Sequence, residues 1–174
     1  LLNLRRCLKV VLPIKDWGVK PKLKDKSLIN LFRITPLLLS AAVLAGCASG
    51  TTLSETSAAT TPPAPGQTRI AIYRDEVMGA AIQPQISVDA EPTGKCQPNG
   101  VFFVDVPVGD HTLSATTETT SEIQVDTSTY PVAYVKCSIG FGFFVGRPKL
   151  IQVATETGAA AVNDLVLTGT YSVP

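Results

Sequence analysis

The 174-residue sequence is poor in the side chains that most often perform chemistry, with one histidine, one methionine and one tryptophan. A single histidine, His111, excludes sites that bind a metal through several histidines, and it leaves any Ser/His/Asp scheme dependent on that one residue. No cysteine pair has the Cys-x-x-Cys spacing of thiol redox motifs. We therefore predict a protein that is not an enzyme and that has no cofactor and no resident metal.

Long apolar runs are also missing. The longest mostly apolar run spans residues 34–45 and contains Pro36, whereas a helix that crosses a bilayer needs about 20 apolar residues. A cationic segment, residues 20–33, precedes the run, and the small residues Ala45 and Gly46 end it. This order of segments is typical of a bacterial export signal.

The charges divide at Cys47. Nine Lys/Arg and two Asp precede it, whereas six Lys/Arg and twelve Asp/Glu lie from Cys47 onward, giving that part a formal charge of −6. Because phosphate binding needs clustered Lys and Arg, we do not expect a nucleic-acid partner. The basic residues belong to the targeting segment.

The tetrapeptide Leu44-Ala45-Gly46-Cys47 resembles the lipobox of bacterial lipoproteins. The resemblance implies that the Cys47 thiol carries a diacylglycerol, that the signal is cut before Cys47 and that the new amine is acylated. Several acyl chains give stable membrane anchoring, whereas one gives only marginal binding. Ala48 in place of Asp resembles the pattern for sorting to the outer membrane, facing the periplasm. Ordinary signal cleavage with an unmodified Cys47 is the alternative.

The sequence predicts three parts. Residues 1–46 are a signal peptide whose first residues are over-extended, with translation starting nearer Val19 or Leu28. Residues 47–67 are the lipidated cysteine and a linker rich in Ser, Thr and Pro. Since this linker has almost no large apolar residue, we expect it to be disordered, with a span of roughly 25 Å for a flexible coil of twenty residues.

Residues 68–174 carry short β-rich runs separated by turn residues, which predicts an all-β fold. The predicted strands span residues 69–74, 86–89, 101–106, 111–116, 122–125, 132–138, 149–154 and 164–168. Residues 90–94 and 98–100 read as turns, and residues 157–163 as one turn of helix. The expected fold is a small antiparallel β-sandwich of about seven strands.

Three stretches of this part resemble a bacterial lipoprotein family known as domain of unknown function 2846. They are Val88-Asp89, the run 99–113 with its Val-Pro-x-Gly-x-His-x-Leu turn, and the Gly/Phe segment 138–146. The turn is also similar to PEGA and carboxypeptidase regulatory modules, which are β-sandwiches. The resemblance implies a fold and an envelope location but no activity. Ala90 stands where such modules often have Gly, and Ala resists positive φ.

Cys96 and Cys137 are the cysteines that remain in the exported part after Cys47, and an oxidising periplasm makes them natural partners. A disulfide between them would contribute about 4 kcal/mol in the chain-entropy model. Two free, buried thiols are the alternative. For His111 we expect packing or hydrogen bonding at the start of a strand. Asp105 and Asp110 flank the same turn and could bind a cation, although loop carboxylates are usually solvated.

The segment 138–146 alternates glycines with Phe141, Phe143 and Phe144. A phosphate-binding loop is not expected, because its glycines must open onto a helix. One interpretation is a bulged hairpin whose aromatic rings fill the core. The other is an exposed contact patch for a partner or a lipid surface.

Taken together, these patterns predict a membrane-anchored envelope lipoprotein that acts as a non-enzymatic binding or assembly module. Its expected partners are the membrane, through the N-terminal acyl chains, and an envelope protein. The alternative is a structural or stress-response envelope component without a specific ligand.

Overall fold

The computed structural model describes residues 47–59, 61–140 and 146–174. Within this part, Cys47–Pro174 forms one compact unit. The predicted signal peptide lies outside the described residues. So do residues 141–145, which contain all three phenylalanines of the predicted contact patch.

The described part forms two stacked sheets, which confirms the predicted sandwich. Its strands are β1 (Gln67–Arg74), β2 (Gln85–Val88), β3 (Glu91–Lys95), β4 (Gly100–Pro107), β5 (Asp110–Thr116), β6 (Thr120–Asp126), β7 (Val132–Gly140), β8 (Arg147–Val153) and β9 (Val166–Ser172). One sheet has the order β8-β7-β1-β4-β9 and the other β3-β2-β5-β6. A helix, α1 (Thr155–Val162), and two 3₁₀ helices, Leu53–Glu55 and Ser57–Ala59, complete the unit.

The described part has nine strands rather than about seven, and two further details differ from the sequence prediction. The five-stranded sheet is mixed, because β1 pairs with β7 and β4 with β9 in parallel. The alternation of apolar and polar residues along a strand shows which face is buried, but not whether the neighbouring strand runs parallel or antiparallel. The strand β3 lies in the stretch predicted as a turn, since Pro92 and Gly94 disfavour strands. Proline is tolerated there because β3 is an edge strand.

Both faces of the five-stranded sheet are apolar. Toward the second sheet, Ile70 and Ile72 of β1 pack with Val104 of β4 and Leu113 of β5. On the outer face, a second cluster is covered by the N-terminal segment and the end of α1; it comprises Leu53, Ala71, Tyr73, Val101, Phe103, Val162 and Leu165. Strand β1 is therefore buried on both sides.

The helix α1 extends the single turn that the sequence predicts, and it begins at Thr155. Gly158, which weakened the helix prediction, is buried against Tyr134. A Cβ atom at this position would lie 2.2 Å from Cγ of Tyr134. The glycine thus lets the helix pack directly on a ring of β7 at the cost of helix propensity.

Residues 48–59, the first part of the segment 47–67 that was predicted to be a flexible linker, pack against the sandwich instead. Leu53 is 3% exposed, and its amide donates to the carbonyl of Leu165 at 2.7 Å. Thr52 forms an antiparallel bridge with Val166. The amide of Leu167 donates to the carbonyl of Thr51 at 3.2 Å.

The prediction of disorder was wrong for residues 48–59 because it counted apolar side chains and not backbone hydrogen bonds. Strand β9 is an edge strand, and residues 51–53 pair with its first residues, which satisfies groups that an open edge leaves unpaired. The amide of Thr52 donates to the Glu55 carboxylate at 2.9 Å, which closes the first 3₁₀ turn. One leucine and these bonds suffice to order a polar segment.

The sandwich has two opposite ends. The Cys47 end contains the start of β4 and β9 and the end of β1, so that Arg74 pairs with Gly100 and Gly100 with Val166. The opposite end contains the start of β1 and the turn between β4 and β5, where Gln67 pairs with Pro107.

The hairpin between β2 and β3 gives a first test. Its two loop residues, Asp89 and Ala90, have φ of 50° and 69°, which is costly for alanine. We expect Ala90→Gly to raise the free energy of unfolding by about 0.5–1 kcal/mol, measured by urea denaturation. The control Ala160→Gly, at an exposed position in α1, should lower it by about 1 kcal/mol. A destabilised Ala90→Gly variant would contradict this account of the turn.

Candidate functional site at the Cys47 end

Cys47 is held against the sandwich by the residues that follow it. The amide of Ala48 donates to the carbonyl of Pro98 at 2.9 Å, and Ala48 is 8% exposed. The pairing with β9 begins three residues later, at Thr51. Any group attached to Cys47 is therefore fixed at this end of the fold.

The turn that receives Ala48 is the Pro98-Asn99-Gly100 turn that the sequence predicts. Asn99 has φ of 58°, and the amide of Gly100 donates to the carbonyl of Gln97 at 3.2 Å. A Cβ atom on Gly100 would lie 3.2 Å from Cβ of Ala48 and 3.1 Å from the Gln97 carbonyl. A side chain at this position would press on the turn's own carbonyl and on the N-terminal segment, which glycine avoids.

The predicted disulfide between Cys96 and Cys137 is confirmed. Cys96 directly follows β3 of the four-stranded sheet, whereas Cys137 lies in β7 of the five-stranded sheet. The bond therefore joins the two sheets at the Cys47 end. Both residues are buried, at 2% and 0% exposure.

Arg74, which the sequence analysis did not single out, closes the same end. It is fully buried, and its Nη1 donates to the carbonyls of Ile82 at 2.8 Å and Cys96 at 3.4 Å. Its Nη2 donates to the carbonyl of Met78. Among the described buried side-chain atoms, only its Nε has no hydrogen-bond partner.

This arginine fastens the loop 75–84 onto the end of the sandwich. Burial lowers the pKa of Arg74, and the charge of Glu76 acts in the opposite direction. The sequence did indicate that Arg74 is buried. Arg74 follows Ile70 and Ile72 at a period of two, so the alternation places its side chain on the inward face of β1.

Lys136 lies on the outer side of the same end. Its Nζ contacts the carboxylates of Asp75 at 2.9 Å and Glu76 at 3.0 Å. The hydrogen bond from Lys136 to Asp75 raises the pKa of Lys136, and burial opposes the shift. Because these groups are partly exposed, the pairs contribute little to stability.

His111 lies toward the opposite end and is 6% exposed. Its Nδ1 is 2.6 Å from Oδ2 of Asp89, and its Nε2 is 2.7 Å from the carbonyl of Pro107. The other oxygen of Asp89 accepts from the amide of Thr112 at 2.8 Å. The histidine thus joins two turns, which is the hydrogen-bonding role predicted for it.

Asp105 does not behave as the solvated carboxylate that the sequence predicts. Arg69 donates to it through Nε at 2.7 Å and Nη2 at 2.9 Å. The Nη1 of Arg69 donates to the carbonyls of Ala58 and Thr61, and its guanidinium lies 4.7 Å from the Phe103 ring centre. Asp110 is exposed, as expected. Within the described residues, no cluster of His, Cys, Asp or Glu could hold a metal ion.

A pocket of about 200 Å³ lies between the N-terminal segment, β1 and α1. Its walls are mainly hydrocarbon, from Leu53, Phe103, Tyr134 and Val162, with Arg69 at one side. Small-molecule sites are usually larger, about 300–1,000 Å³. Arg69 already donates to Asp105, Ala58 and Thr61, and the other polar side chains of the lining are Thr61, Tyr134 and Asn163.

In the ranges that the structure covers, no helix is long and apolar enough to span a bilayer. The predicted patch of Phe141, Phe143 and Phe144 lies outside the described residues.

The disulfide gives a second test. The double variant Cys96→Ala/Cys137→Ala opens a covalent ring closed across 41 positions, so we expect a loss of about 4 kcal/mol in the free energy of unfolding. Urea denaturation with and without reductant measures it. The reductant should destabilise the wild type by a similar amount and leave the double variant unchanged; a wild type indifferent to reductant would contradict this role.

The contact between His111 and Asp89 gives a third test. Burial raises the pKa of Asp89, but hydrogen bonds from His111 and the Thr112 amide outweigh it, so the pKa is lowered. The resulting stability is present above the unfolded-state pKa of about 4 and is lost as the pH falls through the lower folded value. Since the Asp89 side chain is 40% exposed, we expect less than about 1 kcal/mol.

Asp89→Asn tests this without disturbing the turn, because asparagine tolerates positive φ. Below pH 4, the variant should lose less stability than the wild type, measured by urea denaturation from pH 6 to pH 2. Asp110→Asn, at the same end but outside the network, serves as the control. Equal acid sensitivity of Asp89→Asn and the wild type would argue against the contribution of Asp89.

Comparison with known proteins identifies one relative. A Haemophilus influenzae protein described as uncharacterized is 30% identical over 159 residues, which cover 91% of this chain and 92% of the relative. No family model matches the chain, and no solved structure matches it. The alignment leaves out only 15 of the 174 residues, so it reaches into the predicted leader. With this identity and coverage, the chain belongs to the same family as the Haemophilus influenzae protein.

Proposed function

We propose that this protein is a lipid-anchored lipoprotein of the bacterial envelope and that its sandwich acts as a non-enzymatic binding or assembly module. The position of Cys47 carries the proposal. It follows a cationic segment, an apolar run and Leu44-Ala45-Gly46, and the compact unit begins at this residue. A leader that is removed at this point would leave the whole unit intact.

The attachment chemistry follows from the resemblance to a lipobox. The Cys47 thiol loses its proton and forms a thioether with the diacylglyceryl group of a membrane phospholipid, whose headgroup phosphate leaves. Hydrolysis of the peptide bond between Gly46 and Cys47 then frees an amine that accepts a further acyl chain. With several chains, anchoring is stable. Ala48 favours the outer membrane, facing the periplasm.

The sulfur of Cys47 is disulfide-bonded in this structure. One sulfur atom cannot hold a disulfide and a thioether at once, so the two states are alternatives. The mass of the N-terminal peptide distinguishes them directly.

A binding role is supported by the end of the sandwich that lies away from Cys47. It exposes two large apolar side chains, Val108 and Tyr130, each 55% accessible. Carboxylates lie nearby at Asp110 and Asp126. Exposed apolar groups surrounded by charge of one sign are common in protein interfaces.

The first experiment tests the anchor. In cells grown with labelled palmitate, the wild type should incorporate the label and fractionate with membranes, whereas Cys47→Ser should do neither. Ser49→Ala, a substitution two residues beyond Cys47, is the matched control and should behave as the wild type. Label-free, soluble wild-type protein would overturn the lipoprotein proposal.

The second experiment tests the module. After crosslinking of envelopes, we expect the acylated protein to be recovered with one stoichiometric partner, and Tyr130→Ala to reduce that recovery several-fold. Ile151→Ala removes another exposed apolar side chain, 40% accessible, and should leave recovery unchanged. Recovery without any partner would favour the structural or stress-response alternative.

A further inference from the structure

We infer that the Cys47 end of the sandwich rests directly on a lipid surface with anionic headgroups, and that the opposite end points away from it. This inference depends on the proposed lipid anchor and adds the orientation of the domain. It replaces the expectation of a tether that lifts the domain clear of the membrane.

The first argument is the length of free chain between the lipid and the fold. The amide of Ala48 is already bonded to Pro98, and residues 51–53 pair with the start of β9. Only Cys47 itself remains as a connection, which corresponds to about 3.8 Å of chain. With so short a connection, acyl chains in the bilayer bring the Pro98-Asn99-Gly100 turn to the headgroups.

The second argument is the distribution of charge along the sandwich. All six Lys and Arg residues that follow Cys47 lie in the described part, and five of them are at the Cys47 end: Arg74, Lys95, Lys136, Arg147 and Lys149. Lys95, Arg147 and Lys149 are exposed. The sixth, Arg69, is buried and paired with Asp105.

The carboxylates are distributed differently. Four lie at the Cys47 end: Asp75, Glu76, Glu118 in the turn between β5 and β6, and Asp164 just before β9. Asp75 and Glu76 contact Lys136. The opposite end carries Asp89, Asp105, Asp110 and Asp126. The Cys47 end is therefore close to neutral, whereas the opposite end is negative. An anionic surface repels the opposite end, so the charge favours the same orientation as the short connection.

The third argument is an exposed apolar side chain at the contact. Met78 is 58% accessible and lies in the loop that Arg74 fastens to this end. A flexible thioether can enter the headgroup region, with Lys95 and Lys149 available for lipid phosphates. An apolar group beside cations is typical of surfaces that lie on membranes.

The test measures energy transfer from a fluorophore on the protein to an acceptor on lipid headgroups. Because Cys96 and Cys137 are bonded and Cys47 is acylated, an added cysteine can be labelled selectively. Ala81→Cys places the dye at the Cys47 end and Thr129→Cys places it at the opposite end. Strand β1 has eight residues, so the two ends are separated by about 23 Å along this strand alone.

Full-length mature protein, with acylation verified by intact mass, is reconstituted in vesicles of phosphatidylcholine with 30% phosphatidylglycerol. We expect transfer from position 81 to exceed transfer from position 129 at least twofold. Equal transfer, as a free tether predicts, would overturn the inference, and so would stronger transfer from position 129. Absence of acyl mass would instead refute the lipoprotein proposal.

A charge variant separates the argument from charge from the argument from chain length. Lys95→Glu/Lys149→Glu should lower transfer from position 81 on vesicles with phosphatidylglycerol and leave it unchanged on pure phosphatidylcholine. Ser128→Glu adds negative charge at the opposite end and is the control, which should preserve the high transfer. Circular dichroism verifies that each variant is folded. A double variant that is indistinguishable from the wild type on both vesicles would contradict a role for anionic headgroups.

Discussion

The burial of β1 on both faces is the constraint on which the rest of the structure depends. Its residues alternate between the space between the sheets and the outer face, and seven of its eight residues are buried. A two-layer sandwich covers only one of these faces. The other needs a second cover, which α1 and the N-terminal segment supply through Val162 and Leu53. The segment that follows Cys47 is therefore part of the fold.

Much of the sandwich could be predicted, because its strands carry the information locally. Alternating apolar residues reveal β1, β4 and β7, and Asn99 and Gly100 mark a turn that the structure contains. Pairing direction and the strand β3 could not be predicted. Parallel neighbours depend on contacts between residues distant in sequence, and Pro92 is tolerated in β3 only because that strand lies at an edge.

The candidate site also has features that could be predicted from the sequence and features that could not. The disulfide followed from the count of cysteines and the expected compartment, and the roles of His111 and the turn before Gly100 followed from local pattern. Arg74 was missed because an arginine at the end of an apolar strand is usually solvated, whereas here backbone carbonyls of three other residues surround it. The order in the linker was missed because it comes from an edge strand more than 100 residues away.

The pairing of residues 51–53 with β9 also has a mechanical consequence. In an antiparallel pair, hydrogen bonds run perpendicular to the strands, so a pull on Cys47 along the strand axis stretches the bonds of Leu53 and Leu167 together. Bonds that share a load in shear resist more force than bonds that open one after another. The pairing with β9 thus keeps the N-terminal segment in place when Cys47 is pulled.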